Sequence, residues 1–160
     1  MNCFIIFLIP CILSMVPLCL TCRCAAFRPE HYYCRADYVL KVRVKGKNTV
    51  RSDDDHSGTG LPSPYFHLTT YDIDVKDVFK ANSTIKGWLR NEPKIWVDGF
   101  AAQCGTTLFK GHDFIIAGRV RDSKLWASAC GYVRDVSLMN ENDKKFFDQK
   151  IFKTIECESQ

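Results

Sequence analysis

The sequence has 160 residues, which is enough for one domain of ordinary size. Its formal net charge of +4 is only mildly basic and permits weak adhesion to acidic glycans or membrane surfaces. No basic stripe with interleaved aromatic residues occurs, so we expect no nucleic-acid partner.

The N-terminal segment has the pattern of an export signal. Residues 4–20 carry no charge, and Thr21 is a small residue that suits a cleavage site directly before Cys22. The alternative is a membrane anchor, but two prolines interrupt the run, and its length is at the short limit of about 17–25 residues for a transmembrane helix. We therefore predict that residues 1–21 are a signal peptide and that the mature protein is secreted to the extracellular space, with no membrane span.

The nine cysteines divide at the predicted cleavage site. Three leave with the signal, and those that remain are Cys22, Cys24, Cys34, Cys104, Cys130 and Cys157. An even number in an exported chain predicts three disulfides, although spacing alone leaves their connectivity open. A zinc site is the weaker alternative, because no CxxC pair occurs and an oxidising compartment favours disulfides.

Alternation of apolar and polar residues predicts about five short strands. The clearest starts at Tyr38, where Leu40, Val42 and Val44 alternate with basic residues. The other candidates lie at 71–76, 94–97, 113–120 and 124–129. Several short strands separated by turn residues indicate a small barrel or a sandwich.

Two segments have helical patterns: Pro29–Arg35, with a proline near its start, and an amphipathic C-terminal segment. The apolar residues of the C-terminal segment are Leu138, Phe146, Phe147, Ile151 and Ile155. Residues 46–64 are rich in Gly, Ser, Asp and Pro and are predicted to form a long loop between the first two strands. We interpret the acidic cluster at 53–56 as a solvated turn, because consecutive carboxylates on a flexible loop rarely converge on one metal ion.

The remaining motifs indicate a glycoprotein without catalytic activity. Asn82 opens an N-x-T acceptor, and in an exported chain we predict that it carries a glycan. The histidines lack the HExxH and GxSxG contexts of hydrolases, and the predicted disulfides leave no free thiol nucleophile. We therefore expect that the protein is not an enzyme and needs no cofactor.

The cysteines and their neighbours resemble the inhibitory N-terminal domain of the tissue inhibitors of metalloproteinases, a branch of the netrin-like modules. CRC at 22–24 is similar to the amino-terminal Cys-x-Cys of that family, and CRADYVLKV at 34–42 is similar to its entry into the first strand. The later landmarks are QCG at 103–105, FIIAGRV at 114–120, Cys130 and Cys157.

The resemblance implies a mainly β fold with flanking α-helices, in which five strands close an OB-fold-like barrel within one domain at 22–160. The disulfides that it implies are Cys22–Cys104, Cys24–Cys130 and Cys34–Cys157. The loop at 46–64 corresponds to the variable first hairpin of the family. Because the sequence ends soon after Cys157, we expect the C-terminal domain of the family to be absent.

The resemblance also implies a monomeric inhibitor of zinc metalloendopeptidases of the matrix or disintegrin type. The free α-amine and the carbonyl of Cys22 would chelate the catalytic zinc of the protease, which has an open coordination position. The inhibitor would hold no metal of its own. The protease-contact residues that it implies are Arg23, Cys24, Ala25 and Ala26, with Phe100, Ala101, Ala102, Gln103 and Cys104.

Arg23 departs from the family pattern, in which a Thr or Ser enters the S1′ pocket of the protease. Burying an unpaired guanidinium in an apolar pocket is costly. Arg23 would therefore require a deep or acidic pocket, a charged head that reaches back to water, or weakened inhibition. The alternative function is a netrin-like module that does not inhibit and binds a cell-surface receptor or a matrix glycan, since fold alone does not fix function.

Overall fold

The computed structural model describes residues 24, 25, 27–51, 67–98 and 104–157. Among these residues, no helix is long and apolar enough to cross a membrane. The strands are β1 (Tyr38–Arg51), β2 (His67–Lys80), β3 (Lys94–Asp98), β4 (Asp113–Arg121), β5 (Lys124–Ala127) and β6 (Tyr132–Asp135). The α-helices are α1 (Pro29–Arg35), α2 (Ser83–Asn91) and α3 (Glu141–Asp148), and single 3-10 turns lie at Val136–Leu138 and Ile151–Thr154.

Five of the strands form a closed barrel. The sheet order is β1-β2-β3-β5-β4-β6, and β4 also pairs with β1, which closes the ring of the first five. All pairs are antiparallel except β3 with β5, and β6 extends β4 at the rim. The predicted mainly β fold with a five-stranded barrel is confirmed, and the sandwich alternative is wrong.

Strand β4 is buried on both faces at 114–117, which explains its continuous apolar run, whereas β1 is buried on both faces only at 38–40. Leu40 and Ile116 point into the barrel, where they pack with the inward residues of the other strands. Val39 and Ile115 point outward into a second core that contains Phe146 and other residues of the C-terminal segment. Two-sided burial of this kind removes the alternation that marks a half-exposed strand.

The predicted loop at 46–64 is wrong at its start. Residues 46–51 continue β1 and pair with β2, from Gly46 opposite Asp72 to Arg51 opposite His67. Lys47, Asn48 and Thr49 on the β1 side are exposed and polar, so backbone pairing with β2 forms this part of the strand without apolar alternation. The rest of the predicted loop, with the acidic cluster at 53–56, lies outside the described residues.

Helix α2 and strand β6 were not predicted from the sequence, and the C-terminal helix is shorter than predicted. Asn82 caps α2 by accepting a hydrogen bond from the Ile85 amide at 2.8 Å. In the C-terminal segment, only Glu141–Asp148 is α-helical. Phe147 is 3% exposed there, whereas Leu138 is 83% exposed and does not belong to the buried face.

Gly118 is the point on β4 where the barrel wall admits no side chain. The Tyr38 hydroxyl donates a hydrogen bond to the Trp126 carbonyl at 3.0 Å directly beside it. Burial raises the pKa of Tyr38 far above its ordinary value, so the phenol is a neutral donor. A Cβ on Gly118 would overlap both groups of this hydrogen bond.

We expect Gly118→Ala to lower the free energy of unfolding by about 1–3 kcal/mol, because neither the carbonyl nor the buried ring can move away freely. The matched control is Gly87→Ala in α2, where nothing lies within 4 Å of the added Cβ. The control should raise stability by about 0.5–1 kcal/mol through helix propensity. Urea denaturation of both variants measures the two effects, and equal stabilities would contradict this account of Gly118.

Candidate functional site

The predicted contact edge is partly described. Cys24, Ala25 and Cys104 are placed, and the first two are exposed. The predicted residues Cys22, Arg23, Ala26, Phe100, Ala101, Ala102 and Gln103 lie outside the described residues. The described part of the site therefore consists of its two ends and of the disulfides and hydrogen bonds that hold them.

Two disulfides connect distant parts of the described chain. Cys24 is bonded to Cys130 with a Cα–Cα distance of 4.9 Å, and Cys34 is bonded to Cys157 at 5.3 Å. These are two of the pairs that the resemblance implies. They span 106 and 123 residues of sequence, and a loop of this length corresponds to about 4–5 kcal/mol of stabilisation if the effect is purely entropic.

The two ends of the predicted contact edge meet at a cluster of sulfur atoms. The Sγ atoms of Cys24, Cys104 and Cys130 lie within 4.8 Å of one another. Cys104 is also disulfide-bonded, and its predicted partner Cys22 lies outside the described residues. Because all three thiols are oxidised, the cluster is a set of covalent anchors and offers no thiolate to a metal.

Non-covalent contacts hold residues 24, 25, 27 and 28, which we call the N-terminal strap. The Tyr32 hydroxyl donates a hydrogen bond to the Ala25 carbonyl at 3.1 Å. The Phe27 ring stacks on His31, with 3.9 Å between the ring centroids. Both contacts come from α1, so the orientation of this short helix determines where the strap lies.

Helix α1 has only seven residues and depends on tertiary contacts for its stability. At its C-terminal end, the Lys80 ammonium donates to the carbonyls of Tyr33 and Cys34 at 2.9 and 3.0 Å. These carbonyls accept no hydrogen bond within the helix because they lie in its last turn. A positive charge at this end of a helix is stabilised by the helix dipole. Burial lowers the pKa of Lys80, which is consistent with an ammonium held between a helix and the sheet.

The other end of the edge is held through the backbone of Cys104. The backbone of this residue has a φ of 57°, which is unusual for a residue other than glycine. Its carbonyl accepts a hydrogen bond of 2.7 Å from the amide of Ala129 in the turn before β6. The turn that carries Cys130 is therefore fixed to both ends of the edge.

Comparison with known sequences identifies the family. A family profile described as tissue inhibitor of metalloproteinase matches residues 20–160. The chain belongs to the tissue inhibitor of metalloproteinase family. Among its relatives, the tissue inhibitor of metalloproteinase of Drosophila melanogaster is 27% identical over 136 residues, and human metalloproteinase inhibitor 2 is 22% identical over 139 residues.

A third relative is a putative metalloproteinase inhibitor of Caenorhabditis elegans, 27% identical over 123 residues that cover 74% of this chain and 72% of the relative. The Drosophila and human alignments each cover 85% of this chain but only 56% and 58% of those relatives. The chain thus spans little more than half the length of these two members of the tissue inhibitor of metalloproteinase family.

The cysteines were predicted from the sequence, but the hydrogen bonds that hold the strap and α1 were not. Tyr32 and Lys80 carry no motif, because their partners are backbone carbonyls that any residue could supply. The only available signal for α1 was the proline near its start. These contacts form only in the folded barrel, which places both β2 and the strap beside α1.

We expect Tyr32→Phe to loosen the N-terminal strap without unfolding the protein, because the lost hydrogen bond is exposed and worth about 0.5–1.5 kcal/mol. Hydrogen exchange of the peptide that contains residues 24–28 should become up to about tenfold faster. The control is Tyr33→Phe, whose hydroxyl contacts the Phe79 carbonyl at 3.4 Å instead. Equal exchange in the wild type and both variants would mean that Tyr32 does not hold the strap.

Proposed function

We propose that this protein is a secreted inhibitor of zinc metalloendopeptidases and that the α-amine and carbonyl of Cys22 chelate the catalytic zinc of the target. The observation that carries the proposal is the anchoring of the strap. The disulfide from Cys24 to Cys130, the sulfur of Cys104 beside it and the Tyr32 hydrogen bond hold Cys24 and Ala25 in place. Membership of the inhibitor family supports the same function.

The chemistry of the proposal is ordinary zinc coordination. The catalytic zinc of a protease has three protein ligands and an open position that normally holds water. An α-amine has a pKa of about 7.7–8.0, so it deprotonates readily near neutral pH and becomes a nitrogen ligand. Cleavage of the signal peptide before Cys22 would create this amine.

Anchoring matters because a chelating terminus must be held still. A free chain end loses conformational entropy when it is fixed on a protease, at a cost of about 0.5–1.5 kcal/mol for each immobilised side chain. The disulfide and the strap contacts already hold Cys24 and Ala25, and we propose that they reduce this cost for the terminus that precedes them. The exposed residues Cys24 and Ala25 then present a preorganised edge, which we propose continues through Arg23, Ala26 and residues 100–104.

Glycosylation at Asn82 is compatible with the fold. Asn82 is exposed and uses its Oδ1 to cap α2, whereas a glycan would be attached at Nδ2. We propose that the residue carries both roles, on the side of the molecule that bears α2.

The direct test of chelation compares mature protein that begins at Cys22 with the same protein carrying one additional Ala before it. The additional residue converts the amine into an amide, which has no lone pair for zinc. We expect the inhibition constant to rise at least about 100-fold, which corresponds to about 2.7 kcal/mol. The panel should contain matrix-type and disintegrin-type metalloproteases.

Unfolding curves of the two forms should coincide, because the addition lies outside the described core. Equal inhibition by both forms would exclude chelation by the amine, and no inhibition of any protease by the Cys22 form would exclude the inhibitor function. Amino-terminal sequencing of the secreted protein must first find Cys22 at the start.

We expect Arg23→Thr to improve inhibition of proteases that have shallow apolar S1′ pockets by about tenfold, because it removes a guanidinium that such a pocket cannot pair. Proteases with a deep or acidic S1′ pocket should respond in the opposite direction. The matched control is Arg28→Thr, which removes the same charge from the exposed strap outside the proposed contact edge. If both variants behave alike on every protease, Arg23 does not enter S1′.

A further inference from the structure

A groove of about 490 Å³ lies between α1 and the β4–β5 hairpin. We call it the basic–aromatic groove and define it by Phe27, Arg35, Arg119, Arg121, Trp126 and Cys130. Ala117 and Gly118 also line it, so charged residues of both elements share one depression with two small residues of β4. The groove is not part of the zinc-chelating edge described above.

The charged side chains among the described residues that line the groove are all basic. Among the described residues that line it, the ionisable side chains are those of Tyr32, His31 and three arginines, and none is a carboxylate. Arg35 and Arg119 have no ion-pair partner among the described residues. The carboxylate of Asp37, which follows α1, accepts a hydrogen bond of 2.7 Å from the Val120 amide and is not among the lining residues. A concave surface of one sign attracts ligands of the opposite charge.

Stacking on tryptophan rings holds two of the basic side chains of the β4–β5 hairpin in place. The Arg121 guanidinium lies 3.8 Å from the centroid of the Trp126 ring, and the Lys124 ammonium lies 4.2 Å from the centroid of Trp96. The two indole rings are neighbours, at 6.1 Å between centroids. A guanidinium stacked in this way keeps its N–H groups in the plane of the fork, where they fit a carboxylate. Because Arg121 covers one face of Trp126, that face does not stack a sugar.

The walls of the groove add an apolar component. Phe27 is 49% exposed at the mouth, and the side chains of Tyr32, Val120 and Trp126 contribute apolar surface. A ligand that matches both features carries carboxylates next to apolar side chains. A peptide segment has this composition, whereas a sulfated glycan presents charge without apolar groups.

The groove adjoins the proposed inhibitory edge. Cys130 lines it and is bonded to Cys24, and Phe27 belongs to the N-terminal strap. A protease that contacts residues 22–26 would therefore have its own surface next to the groove. We propose that the groove binds an acidic segment of the target metalloprotease, with an apolar residue beside the carboxylates, and so selects proteases with an acidic rim near the active-site cleft. This proposal rests on the proposed function.

The first experiment measures the groove without measuring inhibition. The probe is a short synthetic peptide of alternating glutamate and leucine, labelled with fluorescein and titrated at physiological salt into the mature protein and into its Ala-extended form. Both forms should bind it equally, because the groove does not use the Cys22 amine. Failure of zinc chelation would then leave the binding intact and be distinguishable from failure of the groove.

We expect Arg119→Glu to weaken peptide binding at least about tenfold, because it places a like charge in the groove. The matched control is Arg90→Glu, which makes the same charge change on the exposed side of α2. Arg119→Lys keeps the charge but removes the planar fork, so it should lie between the wild type and Arg119→Glu. Arg35→Ala on the opposite wall provides a second test that does not depend on β4.

The second experiment compares inhibition of two metalloproteases, one with an acidic and one with a neutral surface beside the cleft. Arg119→Glu should raise the inhibition constant about tenfold for the first, mainly through slower association, and less than about twofold for the second. Equal effects of Arg119→Glu and Arg90→Glu would mean that only net charge matters and would overturn the proposal. Preference for a heparin oligosaccharide over the peptide would also overturn it, in favour of a glycan site.

Discussion

Pairing of β1 with β4 closes the barrel and determines where the described parts of the candidate site lie. The pairing runs from Tyr38 opposite Gly118 to Arg43 opposite Asp113. At its outer end, two hydrogen bonds of 2.7 and 2.9 Å join Arg43 to Asp113, and the bonds from Arg43 hold the pKa of that carboxyl below its ordinary value. The contribution of this pair is therefore present above the ordinary pKa of an aspartate and is lost as the pH falls through the lower folded value.

The same closure buries β4 and the start of β1 on both faces, and their outer face supports the helical layer. Phe146, Phe147 and Phe152 pack there with Tyr33 and Phe79, so the helical segments are attached to the barrel by aromatic contacts. Helix α1 lies in this layer and holds the strap. The rigidity that the proposed chelation needs thus comes from the barrel through α1, in addition to the disulfides.

The two proposed contacts with a protease have different physical roles. Zinc chelation by a backbone amine and carbonyl would be available to any chain with this terminus, so it supplies affinity without choosing among zinc proteases. Selectivity must come from side chains beside it, and Arg23 and the basic–aromatic groove are both cationic. A target with acidic surfaces near its cleft would match both features, and a target with apolar surfaces would match neither.

The sequence by itself determined the covalent pattern and the local periodicities. Cysteine number and spacing carried the family resemblance, alternation located β1, and a short apolar run located β4. Strand β6 was not predicted, because its four residues are too few to show a period. The polar end of β1 was predicted to be loop, although it pairs with β2.

Tertiary structure decided which distant residues share a surface. Arg35 and Arg119 come from segments that only the closed barrel brings together, and Tyr32 and Lys80 have backbone partners that leave no trace in residue type. The physical reason is that local periodicity is set by the geometry of a single strand or helix, whereas the groove and the strap depend on pairings between segments far apart in the chain.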